Sequence, residues 1–254
     1  MTPAIIDAHV HLPCGQIPDI QYCGFSDYEP AVEFAKRAGV TGMVFNMWNA
    51  LNCRTAEELD AGNELALSIY ASDPTFFYPG VVIAPNFPET SIRWIREFSQ
   101  RGLFWCGELL PKDHPDYTAP EWQPLFEACH EAGMILQLHM SPSIAALAKR
   151  MPDLTIIHSH IDMHSLPLMA DHPNIYLDFS GFSGLRLGSL EAAVSAFGTE
   201  RILFGSDFTV YNPSFFVQRL KSVVTNPHEQ DMILSGNLLR LLRQRGSHTP
   251  FKEV

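Results

Sequence analysis

The sequence is poor in positive charge. Seventeen Lys and Arg stand against twenty-eight Asp and Glu, for a formal net charge of −11. Proteins that bind nucleic acid draw much of their affinity from Lys and Arg on phosphates, so this balance argues against that class. Long apolar runs are missing too, and none approaches the ~18 residues that a membrane helix needs. The first expected strand starts at Ala4, which reads as a chain with no signal peptide ahead of it. Cysteine is scarce, scattered and odd in number: Cys14, Cys23, Cys53, Cys106 and Cys129, with no CxxC pair. That argues against a disulfide framework and a thiolate zinc site, and fits reduced thiols in the cytoplasm. No Ser/Gly linker or shift in composition divides the chain, so residues 1–254 read as one domain. No GxGxxG follows the first strand, which counts against a doubly wound dinucleotide fold.

What is present is a rhythm. Runs rich in Val, Ile, Leu and Phe alternate with helical stretches. The runs are Ala4–His9, Val40–Asn46, Phe77–Ala84, Leu103–Leu110, Met134–Met140, Leu154–His160, Asn174–Ser180 and Arg201–Phe208. Near-continuous apolar runs suit parallel strands covered by helices. Gly39, Gly102 and Gly133 each precede a strand, where a helix can end on a left-handed glycine. Thr55 and Glu58 form a capping-box pattern, and Ser141-Pro142, Asn212-Pro213 and Asn226-Pro227 read as helix starts. Eight strand–helix units in 254 residues predict an α/β fold of the (β/α)8 TIM-barrel type, with room for short extra C-terminal helices.

Residues able to bind metal gather where these strands end. The first strand carries Asp7-Ala-His9-Val-His11, and alternation puts both imidazoles on one face. HxH alone is a weak signal. It gains weight from Glu108 near the end of the fourth run, His139 near the end of the fifth, His158 and His160 at the end of the sixth, and Gly205-Ser206-Asp207 near the end of the eighth. A barrel assembles its site from such carboxyl ends. Imidazole with carboxylate suits Zn²⁺ and related divalent ions.

This set resembles the amidohydrolase superfamily, and most closely its amidohydrolase-related (amidohydrolase 2) branch of metal-dependent hydrolases. The resemblance runs from Ile5 to the Asn237–Leu242 segment. It implies His9, His11, His139 and Asp207 as metal ligands. It implies His160 as a ligand or as the group that polarises the substrate, with His158 a second candidate on the same strand. Two departures stand out. Ile161-Asp162 follows His160 where many relatives have a glycine turn. Some dinuclear members carry a carboxylated lysine on strand four; Glu108 stands there instead, which resembles members with a strand-four glutamate such as the TatD-like nucleases, and it reads equally as a further ligand or as a carboxylate that only orients a ligand histidine.

The resemblance implies a divalent ion, zinc first, with manganese or another ion as the alternative. Such an ion lowers the pKa of water from about 15.7 to about 7. Asp207 then takes the water proton and His160 stabilises the oxyanion. Asp7 is expected to brace the strand end and not to bind metal. The expected reaction is hydrolysis of a small ester, lactone or amide. The alternative is zinc-dependent non-oxidative decarboxylation of an aromatic or unsaturated acid. A TatD-like nuclease, disfavoured by the charge, and a degenerate ligand-binding barrel rank below. Homo-oligomers are common among such barrels, and the expected partner is a small molecule, not nucleic acid or membrane.

Substrate anchors are fewer. Arg54, Lys112 and Arg186 follow strands two, four and seven and could hold a carboxylate or phosphate, although each singly reads as a solvated loop cation. Phe25, Trp48, Phe208 and Tyr211 could form an apolar wall. His114, His130, His164, His172, His228 and His248 have no partners at ligand spacing, and Cys14 reads as a free packing thiol.

Overall fold

The computed structural model describes residues 4–15, 24–110, 116–247 and 251. Lys112, His114, Cys23 and His248 lie outside the described residues. The eight apolar runs form eight strands: β1 (Ile6–Leu12), β2 (Gly42–Met47), β3 (Phe77–Pro79), β4 (Trp105–Leu109), β5 (Ile135–Leu138), β6 (Ile156–His158), β7 (Ile175–Asp178) and β8 (Ile202–Leu203). All but β1 are shorter than the apolar runs that announce them. The runs go on past the ladders into the loops, where most of the outer residues are still buried by packing.

Every strand pairing is parallel. The order is β1-β2-β3 in one sheet and β4-β5-β6-β7-β8 in the other. Two single parallel bridges, Val81 with Cys106 and Val10 with Phe208, join these sheets at both seams and close the ring. Ala8 N–H donates to the Phe204 carbonyl at 2.9 Å across the seam between β1 and β8. The fold is therefore an α/β TIM barrel.

Local chemistry sets the helices between strands. The Thr55 hydroxyl accepts from the Glu58 N–H at 3.2 Å, as a cap should, but the Glu58 carboxylate reaches back to the N–H of Arg54, one residue before the cap. Asn212 and Asn226 cap the helices Pro213–Val223 and Pro227–Asp231. After β8 the chain adds short helical segments, ending with Asn237–Gln244. Asn237 is fully buried and donates to the carbonyls of Thr199 and Ile202, which ties this last helix to the start of β8. Among the described residues no helix is long and apolar enough to cross a membrane. The four described cysteines are free thiols.

Candidate metal centre

Asp7, His9 and His11 lie on β1, and all three are buried. Asp7 points at the seam with β8. It accepts the Ser206 N–H at 3.0 Å, the Ser206 hydroxyl at 2.5 Å and the His9 N–H at 3.2 Å. Burial raises its pKa to about 7, against the lowering pull of Ser206 and His9. These bonds brace the strand end that carries the imidazoles.

Glu108 on β4 is the centre of the cluster. Its Oε2 lies 3.2 Å from His9 Nε2 and 3.2 Å from His11 Nε2. Its Oε1 lies 3.1 Å from His139 Nδ1 and 3.5 Å from His160 Nε2. Asp207 Oδ1 stands 3.7 Å from His9 Nε2 and 3.6 Å from His11 Nε2. Two sets of donor atoms sit within 4.8 Å of one another: His9, Glu108 and His160, and His9, His11 and Asp207. His139 touches Glu108 but belongs to neither set.

His160 and Asp207 reach the centre by an unusual backbone route. Both follow strand ends, and both adopt left-handed φ, 66° and 62°. Such values are uncommon outside glycine, and where they persist they often mark functional sites. The turn explains why His158 does not join. Strand alternation puts His158 and His160 on one face, but His160 lies beyond β6 and its backbone swings it into the cluster. His158 folds its Nδ1–H onto the His160 carbonyl at 3.1 Å, and burial lowers its pKa to about 4. Gly181, at φ 68°, makes room for His160, because a Cβ there would lie 2.6 Å from His160 Nδ1.

The proton inventory tests whether this donor set suits a cation. Asn46 Nδ2 donates to the Glu108 carbonyl at 3.0 Å, which turns Asn46 Oδ1 toward His11 Nδ1 at 2.6 Å. His11 Nδ1 therefore carries the hydrogen, and its Nε2 is a bare lone pair. His9 Nδ1 faces Asp178 Oδ2 at 3.0 Å, so in the neutral ring its Nε2 is bare as well. These two lone pairs meet at 3.2 Å beside the carboxylates of Glu108 and Asp207. With both rings neutral these four atoms have no hydrogen to share, and a positive charge, whether a proton on His9 or a bound cation, satisfies them. The titration tendencies agree. Burial disfavours charge on His9, yet Glu108 and Asp178 together raise its pKa well above the usual range. Burial would raise Glu108, yet His9, His11 and His139 hold it well below the usual carboxylate range.

Asp178, Asn46, Gln137 and Ser180 complete the site without having stood out in the sequence. Each is a polar residue within or just beyond an apolar run, and each is buried. Gln137 donates to Asp178 Oδ2 and to the Ala8 carbonyl, while its Oε1 accepts from Trp105.

A cavity of about 650 Å³ opens beside His139, His160 and Asp207, a size suited to a small-molecule ligand. Arg186, Tyr211 and His164 line it, with Met140, Met163 and Phe182 as apolar wall. His164, read in the sequence as a plain loop histidine, thus faces the cavity. Arg54 and Trp48 do not line it. Arg54 is exposed at the start of the helix Ala56–Ser72. Trp48 is buried against the His11 ring, with centroids 4.3 Å apart, and backs the imidazole. Phe25 and Phe208 pack on each other and on Phe34, so of the four aromatics only Tyr211 walls the cavity.

Eight parallel strands closed into a barrel, with imidazoles and carboxylates converging at their carboxyl ends, define the class of metal-dependent barrel enzymes. A family model described as amidohydrolase matches residues 6–244, and the chain belongs to that family. No curated protein matches the sequence significantly. Solved structures show the same fold at low identity. A 2,6-dihydroxybenzoate decarboxylase from Rhizobium has a TM-score of 0.73 at 15% identity, covering 96% of this chain and 99% of that one. A provisionally named 2-pyrone-4,6-dicarboxylic acid hydrolase from Pseudomonas putida has a TM-score of 0.73 at 17% identity, covering 96% and 98%. A dihydroxybenzoic acid decarboxylase from Polaromonas sp. JS666, crystallised with manganese and the inhibitor 2-nitroresorcinol, has a TM-score of 0.71 at 16% identity, covering 95% and 97%.

Proposed function

We propose that this protein is a metal-dependent hydrolase that opens an ester, lactone or amide bond of a small organic molecule, working as one domain. The observation that carries the reading is the meeting of His9 Nε2, His11 Nε2, Glu108 Oε2 and Asp207 Oδ1, two imidazole nitrogens and two carboxylate oxygens within reach of one cation. These four would hold a divalent ion. Zinc suits imidazole and carboxylate best, and manganese is the runner-up. Such an ion supplies Lewis acidity, acidifying water and polarising a carbonyl. His160 joins His9 and Glu108 in a second set of donor atoms beside the first, and His139 holds the far oxygen of Glu108.

The chain's own residues do the rest. Asp207 borders both the donor cluster and the cavity, and burial raises its pKa, offset by His9 and His160. That suits a carboxylate that takes the proton of an attacking water and passes it to the leaving oxygen or nitrogen. The guanidinium of exposed Arg186 stands on the cavity wall to hold an anionic group of the substrate. The apolar side chains around it favour a substrate with an apolar body.

Decarboxylation of an aromatic or unsaturated acid is the second reading. The same cation and the decarboxylases among the structural neighbours favour it. Release of CO2 from aromatic acids, set against hydrolysis of lactones and aryl esters, separates the two. Hydrolysis with no CO2 supports the first reading, and CO2 with no hydrolysis overturns it. On the active compound, Arg186→Gln is expected to raise KM by roughly 10- to 100-fold when a carboxylate is present, the worth of a lost charged hydrogen bond. A matched neutral substrate should show little change. Equal KM changes for both would remove Arg186 as the anchor.

A further inference from the structure

Ser180 lies two residues past Asp178 at the end of β7 and is fully buried. Its hydroxyl stands 2.9 Å from His9 Nδ1 and 2.8 Å from His160 Nδ1, and it is in close contact with Asp178 Oδ1. It therefore joins two imidazoles that serve the same centre from different strands, and it has one hydrogen to give.

The neighbours decide where that hydrogen goes. Asp178 is ringed by groups that can only donate. The backbone N–H of Ser180 reaches Oδ1 at 3.1 Å and that of His160 at 3.3 Å. The Gln137 amide donates to Oδ2 at 3.0 Å, and its orientation is fixed by the Ala8 carbonyl and Trp105. A carboxyl so surrounded is an acceptor on both oxygens. The Ser180 hydroxyl meets Oδ1, a carboxylate oxygen with no hydrogen of its own, and two such oxygens stay in contact only with a hydrogen between them. The Ser180 hydrogen thus goes to Asp178, and its lone pairs are left for the imidazoles. Nδ1 of His160 must then donate to Ser180, which leaves His160 Nε2 bare and aimed at Glu108.

We propose that Ser180, locked by Asp178, is a positioning residue that selects the tautomer of His160, making it a lone-pair donor. Its neutral ring then cannot donate a hydrogen bond to a substrate oxyanion, the role first expected of it. It binds a cation or takes up a proton instead. Gly181 is part of the device, because only a residue without Cβ lets the Nδ1 edge of the ring lie against this turn. The inference rests on the proposed metal centre for its purpose but not for its geometry, which uses protein atoms alone.

The test is a long-range ¹H–¹⁵N correlation spectrum of ¹⁵N-histidine-labelled, chelator-stripped protein at pH 8, which tells protonated from bare ring nitrogens. The His160 signals are assigned by their loss in His160→Gln. The expected wild-type pattern is Nδ1 protonated and Nε2 bare. Ser180→Ala should shift His160 toward the Nε2–H form, and Ser180→Thr should restore the wild-type pattern. In zinc titrations Ser180→Ala should lose ~10- to 100-fold in affinity, the usual effect of removing a group that orients a ligand. An Nε2–H His160 in the wild-type protein overturns the proposal, and so does a pattern unchanged in Ser180→Ala. If Ser180→Ala does not fold, the wild-type spectrum decides alone. Failure of the metal reading appears separately, as absent zinc binding with the tautomer pattern intact.

Discussion

Glu108→Gln is expected to abolish tight metal binding while leaving the fold in place. Glu108 is the residue that every histidine of the cluster touches, and it is buried. The amide is the same shape, so packing is kept. It also brings hydrogens that can be given to the bare Nε2 atoms of His9 and His11, so the metal-free protein loses little. What disappears is a negative charge directed at the cation. Removing even an outer group around a metal costs ~10- to 100-fold in affinity, so the loss here is put at about 100-fold or more. kcat/KM should fall in step. Calorimetric titration with zinc, beside a thermal melt, checks both. Wild-type affinity in the variant would show that Glu108 is no ligand. A collapse of Tm with affinity retained would make it a structural carboxylate only.

Asp178→Asn is expected to do the reverse, damaging stability first. The Asp178 carboxylate accepts from His9, Gln137, Ser180 and the His160 backbone, and it is fully buried. Burial would raise its pKa, but His9 and then His160 and Ser180 hold it far below the usual range. An asparagine offers one acceptor oxygen in place of two and turns its amide hydrogens on groups that themselves donate. Breaking one side of a buried ionic network costs about 3–5 kcal/mol. For a chain of this size that is a fall in Tm of roughly 10 °C. His9 also loses the acceptor that fixes its ring, so zinc binding weakens as well. A melt within a degree or two of wild type would contradict the network described.

The barrel was legible because burial on both faces makes parallel strands nearly continuous apolar runs, and eight such runs leave few other topologies. Strand ends were less so. The apolar runs continue into buried loops, and hydrogen bonding, not hydrophobicity, ends a strand. His9, His11, Glu108, His139, His160 and Asp207 were nameable because imidazole and carboxylate at strand ends are rare and recur in register with the barrel's open face. Whether Glu108 faced the donors or merely braced one was not decidable from its position. Its two oxygens prove to serve separate pairs of imidazoles. His158 was misplaced for a definite reason: period-two alternation stops where the strand stops, and a left-handed residue resets the face. Arg54 and Trp48 lie outside the lining of the cavity beside His160, because distance along the chain from a strand end does not say which way a loop turns. Asp178, Asn46 and Gln137 carry a signal in the sequence. A polar residue inside an otherwise apolar run must find a partner in the core, and here the partners are the site itself. Ser180 had no such mark, since serine just past a strand is ordinary.

A cation drawn to imidazole nitrogens and two carboxylates is the heart of this site. Calorimetric titration of chelator-stripped protein with Zn²⁺ at neutral pH tests that most directly. The prediction is saturable binding of at least one ion per chain, with buffer-dependent heats that show proton release. A flat titration, repeated flat with Mn²⁺ on folded protein, would contradict it.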